Sequence, residues 1–504
     1  MKSNSIQGEM RAIASGYAFP FLAAWSFVFL VIFLRSPDAY LNPFLYAEDG
    51  IVYTLRLSRD GLLTTLLEAR PDYYVFGNIL LQWLGMQLGE VFRGGNLIEL
   101  PRVLAILSYG FFAGVAALPM LLLRGRVPMP VLALLVLVSA FVPLNEEDGE
   151  ILGRISNIGQ VGLYVALLLV IHRNFAAKEG QSCWPADLGL FACASTNPIV
   201  LALLPATVIP YLGSIRRREP WNRARILSIA PLAALALACM PLAMKVAASH
   251  QRLDAAPVKV GFRRMVELTI SKNILYPLTH PFYRHLNTSW DLAILAALVA
   301  GILLLGRKRN AQVYLLGGFT LAIASAVLAK SRLDLLRWCG HHSDPYPIRY
   351  FLGQNLISLL ILVVLGWDMA SSPRLPKWAK ALLLLLVPLA LSDVTRQASF
   401  GHPPRAFGFA DRGTLADQVA RSVEAGLFTD ASGEPNPGGD YIEIRTNPEV
   451  PPPEGWRFLL PRDLVVRSTL LMRGDPRFKG AIAALEAGDA PSDRVARHPS
   501  PRLE

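Results

Sequence analysis

The chain has 504 residues, 53% of them hydrophobic and only 17% charged, with a net charge of +11 and a mean hydropathy of +0.38. Soluble domains carry about 25% charged residues, so an ordinary water-soluble globule is excluded and lipid is the solvent for much of the chain. Nucleic-acid binding does not account for the positive charge. It sits in short clusters beside apolar runs, Arg216-Arg217-Arg218, Arg307-Lys308-Arg309 and Arg374 with Lys377 and Lys380. The preference of Lys and Arg for cytoplasmic loops explains such clusters, and no interleaved basic and aromatic groove pattern accompanies them.

The first apolar run, 17–34, continues into a charged loop without a small-residue cleavage site, so it reads as a retained span. Further runs fall at 73–92, 97–123, 128–144, 156–171, 186–213, 225–248, 291–306, 311–330, 349–367 and 376–392. About 20 apolar residues cross a bilayer core. The expected fold is an all-α polytopic membrane protein with about 10–12 hydrophobic segments over residues 1–393. Lys and Arg are about twice as dense in 1–16, 124–127, 172–185, 214–224, 307–310 and 371–380 as in 35–72, 145–155, 249–290 and 331–348. The first set is therefore placed inside and the second outside.

Two stretches resist this alternation. Between the outward loop 35–72 and the inward Arg124–Arg126 an odd number of crossings is needed, yet two runs lie there. One of them lies at the interface or enters only partway. The run 186–213 has inward flanks at both ends and is interrupted by Asn197-Pro198 and by Pro205, which predicts a re-entrant hairpin of two half-helices or a kinked pair.

Residues 394–504 form a polar tail with Pro and Gly clusters at 433–439 and 451–455. They are expected to be a small α+β or partly disordered extracytoplasmic domain. Helical spacing predicts a helix over 413–427 capped by Asp411 or Thr414, and short strands are expected at 441–446 and 456–460. Cys183, Cys193, Cys239 and Cys339 share no paired spacing and read as small buried hydrophobes.

The residues with chemical potential collect in the outward loops. Tyr46-Ala47-Glu48-Asp49-Gly50 sets two adjacent carboxylates just after the first span. In a partly dry site one of them would have a raised pKa, as a general base requires. The pair could also hold a divalent cation against a phosphate, and the plainer alternative is a solvated acidic loop. The second outward loop, Asn145-Glu146-Glu147-Asp148-Gly149-Glu150, leads to Arg154 and Asn157. It suits cation binding or acceptor positioning, or simply fixes topology. The spacing predicts Glu150, Arg154 and Asn157 on one helical face.

A third outward loop carries Arg332, Asp334, Arg337, His341-His342, Asp344 and Arg349-Tyr350. The planar fork of arginine suits phosphate. Arg349 and Tyr350 also read as interfacial anchors of the span they open. The loop 249–290, with His250, Arg263-Arg264, Lys272, His280, Arg284 and His285, suits a surface beside anionic headgroups or a cover over substrate. No P-loop, dinucleotide fingerprint or zinc-protease helix is present.

These motifs, in this order, resemble the GT-C superfamily of multi-pass membrane glycosyltransferases, and more closely a bacterial group with an Ala-Glu-Asp-Gly motif after the first span. The matching residues are Ala47-Glu48-Asp49-Gly50, Glu150-Ile151-Leu152-Gly153-Arg154-Ile155-Ser156-Asn157, Ser195-Thr196-Asn197-Pro198 with Pro205, and Arg349-Tyr350-Phe351. The stretch Asn447-Pro448 to Gly455-Trp456 is weakly similar to the outward tail of that group. The acid run before Glu150 and the tail are both longer than in that group.

The resemblance implies sugar transfer from a polyprenyl-phosphate donor to a cell-envelope glycan or lipid, lipopolysaccharide among them, at the outer face of a bacterial inner membrane. It implies Asp49 as base with Glu48 as its partner or alternate, and Arg349, with Tyr350, on the donor phosphate. Glu150, Arg154 and Asn157 would contact acceptor or donor. A divalent cation, if used, would sit on Glu48 and Asp49. Rival readings are an outer-face polysaccharide ligase or polymerase centred on Arg337, His341 and His342, and a lipid or solute transporter, for which broken helices are common.

Overall fold

A computed structural model describes residues 3–45, 49–70, 73–144, 151–179, 181, 183–216, 223–250, 261–331, 348–373, 375–377, 413–445 and 457–486. Among these, seven helical stretches are long and apolar enough to cross a membrane: Ala18–Arg35, Leu97–Leu122, Ile158–Lys178, Ile229–Ala248, Thr288–Leu305, Lys308–Leu328 and Ile348–Ala370. Leu237, Met240, Met244, Leu303, Leu304, Leu315 and Phe319 stand exposed on them. Water would not tolerate so much contiguous apolar surface; a bilayer covers it. The chain is a multi-pass helical membrane protein. The predicted run 376–392 lies almost wholly outside the described residues.

Side-chain bonds fix which helix ends meet. α1 (Ser3–Arg35) ends in Arg35, buried, which donates to the carbonyls of Ala140 at 2.7 Å and Val142 at 3.0 Å. This joins α1 to the end of α5 (Met129–Ala140). We call this the loop end. At the opposite, basic end, α6 (Gly162–Lys178) returns to the foot of α4 (Leu100–Leu122). There Arg126 meets Glu179 at 3.0 Å and lies over the Phe175 ring.

The crossing problem between 73 and 123 is resolved by α3 (Phe76–Arg93). The backbone N–H of Phe76, its first residue, bonds the Ser195 carbonyl, and Asn78 bonds the backbone of Ile155 and Ser156. At its far end Glu90 meets Arg467 of the tail. Both ends thus lie among loop-end elements, and α4 alone makes the crossing. The packing explains the placement. Asn78, Gln82, Gly85 and Gly89 form a buried row at helical spacing, while Leu80, Trp83 and Leu84 face outward. A helix that buries its polar stripe in protein and exposes its apolar one suits the membrane interface. The run 128–144 gives only the twelve-residue α5.

The run 186–213 breaks as expected. α7 (Trp184–Ala194) stops before Asn197-Pro198, and the chain returns through a 3-10 stretch, Pro198–Val208, into α8 (Ile209–Arg216). Asn197 caps the return by accepting from the Ile199 N–H. Arg173 of α6, fully buried, binds Asp187 of α7 at 2.6 Å and the Thr207 carbonyl of the return arm at 3.2 Å. Both arms are therefore pinned at one level, which makes a hairpin rather than a crossing.

One expectation holds only in part. In the described part of the loop 249–290, Arg263, Arg264 and His285 are exposed, but Lys272 and His280 are buried. After α9 (Arg223–His250), residues Phe262–Val266, a π-helical stretch Glu267–Leu275 and the turns Tyr276–His285 fold into the bundle. They pack against α10 (Thr288–Leu305), α11 (Ala311–Ser331) and α12 (Leu352–Ala370). Glu267, Ser271, Lys272 and Asn273 are buried, and Asn273 bonds Ser325 at 2.6 Å and the Leu321 carbonyl at 3.3 Å. Asp291, which as a span-opening residue would sit at the interface, is also fully buried. The sequence shows the polar side chains of this segment but not their partners, which lie on helices remote along the chain.

The tail, where described, is ordered and α+β. Thr414 and Asp417 form a reciprocal capping box that starts α13 (Leu415–Glu424). Strands β1 (Phe428–Thr429), β2 (Tyr441–Arg445) and β3 (Arg457–Pro461) make an antiparallel sheet in the order β1-β2-β3. α14 (Arg462–Leu471) and α15 (Lys479–Glu486) complete the layer. The tail docks on the loop end: Leu415 donates to the Pro43 carbonyl at 2.7 Å, and Ser468 accepts from the Leu97 N–H at 2.9 Å.

Candidate functional site

The chain after α1 turns at Pro43–Leu45 and re-enters helix as a π-helical turn, Asp49–Thr54, that leads into α2 (Leu55–Glu68). π-helical turns are rare and are frequent at functional sites. Asp49 is 2% exposed, so the solvated-loop alternative does not hold for its carboxylate. Its Oδ2 accepts a hydrogen bond from the Ile155 N–H at 3.2 Å. The first loop is thereby tied to the second.

A ring of buried polar side chains holds this junction. Thr54 donates to the Asp49 carbonyl at 2.5 Å, and Gln82 of α3 donates to Thr54 at 2.8 Å. Asn78, one turn earlier, donates to the carbonyls of Ile155 at 2.7 Å and Ser156 at 2.9 Å. Thr54, Asn78 and Gln82 were not among the residues singled out from the sequence. The available signal was the pair Asn78 and Gln82, spaced by four inside an otherwise apolar run.

Arg154 is 4% exposed. It donates to the Phe44 carbonyl at 3.0 Å and lies over the Phe44 ring at 4.1 Å, so it braces the first loop. Arg154 and Asn157 lie in no helix, so they do not share the expected helical face. Gly153 takes φ +80°, and a Cβ there would fall 2.4 Å from that of Ala39. The left-handed residue breaks any helix between 151 and 157. Asn157 is buried and precedes the 3-10 turn Ile158–Val161 that opens α6.

The hairpin tip reaches the same place. Thr196 accepts from the Gly77 N–H at 2.9 Å, and Asn197 donates to the Gly159 carbonyl at 3.0 Å. Arg349 and Tyr350 lie in the 3-10 turn Ile348–Phe351 at the head of α12, with the guanidinium 5.1 Å from the Tyr350 ring centre. That turn packs on the Ile158–Val161 turn. A Cβ on Gly353 would fall 2.4 Å from the Gln160 carbonyl oxygen, so only glycine allows the approach. Asp49, Arg154, Asn157 and Arg349 are thus linked through 155–161 at one end of the bundle. Glu48, Glu150, Arg337, His341 and His342 lie outside the described residues.

The tail roofs the first loop. Gly50 faces the Phe458 ring of β3, whose atoms would lie 3.4 Å from a Cβ at that position. Beyond Asp49, Arg59 and Asp60 pair at 2.6 Å. The hydrogen bond from Arg59 holds the Asp60 carboxyl below the usual range, and Asp60 in turn raises Arg59. Among the described residues no group of three or more His, Cys, Asp or Glu has the arrangement to hold a metal ion. The cation expectation needs Glu48, which is not described. Comparison of the chain with protein-family models, with curated proteins and with solved structures finds no match.

Proposed function

We propose that this protein is a membrane glycosyltransferase. It moves a sugar from a polyprenyl-phosphate donor to a cell-envelope glycan or lipid at the outer face of a bacterial inner membrane. The observation that carries the reading is the buried Asp49 carboxylate held on the Ile155 N–H where the first and second loops, the hairpin tip and the head of α12 meet. A carboxylate shielded from water at a membrane edge has the environment of a general base. In this reading the acceptor hydroxyl attacks the anomeric carbon and gives its proton to Asp49. The bond from that carbon to the phosphate oxygen breaks, and the departing phosphate gains negative charge. Arg349 meets that charge. Arg154 and Asn78 hold the loops that carry the base.

The test is deletion of the gene followed by mass spectrometry of outer-face glycans and lipid-linked sugars. The expected result is loss of one sugar from a defined glycan, restored by the wild-type chain and not by Asp49→Asn. A glycan profile unchanged by deletion would overturn the proposal.

A second reading, transport of a lipid or solute, gains support from the burial of Glu267, Lys272 and Asp291 among the helices. Charged groups inside a bundle commonly mark a translocation path. Flux of a lipid-linked sugar across proteoliposomes, abolished by Lys272→Met and unaffected by Asp49→Asn, would favour that reading.

A further inference from the structure

A cleft of about 560 Å³ opens between α2 and the tail domain, lined by Ser58, Arg59, Asp440, Tyr441, Arg462 and Asp463, with Pro461 and Val466. The volume falls in the range of small-molecule sites, about 300–1,000 Å³. Two separate parts of the chain build it. Ser58 and Arg59 come from α2, within about three turns of helix from Asp49. Tyr441, Pro461, Arg462, Asp463 and Val466 come from β2, β3 and α14, and Asp440 immediately precedes β2.

The lining mixes apolar surface with charged side chains that balance one another. Arg59 and Arg462 oppose Asp440 and Asp463, so the four formal charges cancel. A polyphosphate or anionic headgroup would seek an excess of arginine, which this cleft lacks. The two aspartates are exposed and can accept hydroxyl hydrogens. Arg59 is held by Asp60 and Tyr441. Arg462 is fixed over the Phe428 ring and bonds the Pro437 and Gly439 carbonyls. Fixed donors and acceptors beside an aromatic side chain match a ligand with many hydroxyls and no net charge.

We propose that this cleft binds a neutral oligosaccharide, the acceptor glycan, and presents its end to Asp49. The assignment of the glycan as acceptor rests on the glycosyltransferase reading; the binding itself does not. The same geometry gives the tail a task, since without β2, β3 and α14 the cleft has one wall.

The test is direct binding, which needs no turnover. The purified full chain in detergent is titrated with oligosaccharides released by mild acid from the envelope of the deletion strain. Maltotriose and trigalacturonic acid serve as neutral and anionic comparators, and the readout is saturation-transfer NMR. Binding of a neutral envelope oligosaccharide, weakened at least tenfold by Asp463→Asn or Arg59→Ala and preserved in Asp49→Asn, is expected. Binding indifferent to both cleft variants, binding only of the trigalacturonate, or no binding by any neutral glycan would overturn the cleft. Each of those results leaves the Asp49 mechanism standing. Conversely, full transfer by Asp49→Asn would end that mechanism while leaving a sugar-binding cleft intact.

Discussion

The Asp49 carboxylate and the Ile155 backbone N–H are joined at 3.2 Å, so one side chain both joins two loops and is the base of the proposed reaction. Structural and chemical roles can be separated by substitution. Asp49→Asn keeps an oxygen that accepts from Ile155 but cannot take a proton, and its transfer rate should fall by about 10²–10⁴ with little loss of stability. Asp49→Ala removes the acceptor as well and should cost about 1–3 kcal/mol besides. Transfer assays and thermal unfolding in detergent read the two effects. An Asn variant with wild-type rate would remove Asp49 from the chemistry.

Gly153 tests the turn that replaced the expected helix. An added Cβ meets Ala39 in a left-handed residue, so Gly153→Ala should destabilise the chain by about 1–3 kcal/mol. A thermal midpoint equal to wild type would mean that the turn does not hold the second loop as described.

The hairpin base makes a sharper claim. Arg173→Ala leaves Asp187 buried without its cation and should cost about 3–5 kcal/mol. Arg173→Met combined with Asp187→Leu should recover most of that loss, because the pair then leaves no charge behind. Unfolding of the single and double variants measures the coupling, and additive losses would argue against a shared site.

The interfacial placement of α3 has a topological readout. In a cysteine-free background, Tyr73→Cys and Arg93→Cys should both react with a membrane-impermeant maleimide added from the same side. Labelling from opposite sides would restore α3 as a span.

The tail should lose its hold on helix α13 in acid. Burial pushes the Asp417 carboxyl up, but hydrogen bonds from Thr414 and the charge of Arg477 outweigh it and hold it below the usual range. Asp475 is lowered chiefly by its hydrogen bond from Arg477. A depressed carboxyl contributes stability above its unfolded value of about 3.9, and that contribution is lost as pH falls through the folded value. Hydrogen exchange at 415–424, corrected for intrinsic rate, should therefore rise below about pH 4. At neutral pH, Thr414→Ala should weaken the helix by about 1 kcal/mol.

Features with local causes were legible in the sequence. The Thr414 cap, the strands near 441 and 457, and the break at Asn197-Pro198 each follow from residues within a few positions of one another. What could not be read depends on distant partners. The runs that become α3 and α4 are similar in length, and α3 is the less apolar of the two, but that its Asn78, Gln82, Gly85 and Gly89 are buried in protein is seen only in the fold. Lys272 looks like a loop residue until α10, α11 and α12 close around its segment. At the site, the acidic pair drew attention to Asp49. Thr54, which fixes its backbone, carries no charge or motif, and Gln82 shows only as one of two polar residues spaced by four in an apolar run, with no sign of its partner.

The docking of the tail on the first loop sets an order of events during biosynthesis. Pro43 and Gly50 emerge early, while Leu415 and Phe458, which bond and cover them, are made hundreds of residues later. The membrane helices can insert as each leaves the ribosome, yet the loop behind Asp49 stays uncovered until the segments around Leu415 and Phe458 reach the same face. A nascent chain without those segments is thus a bundle with its first loop open, and their docking is what covers it.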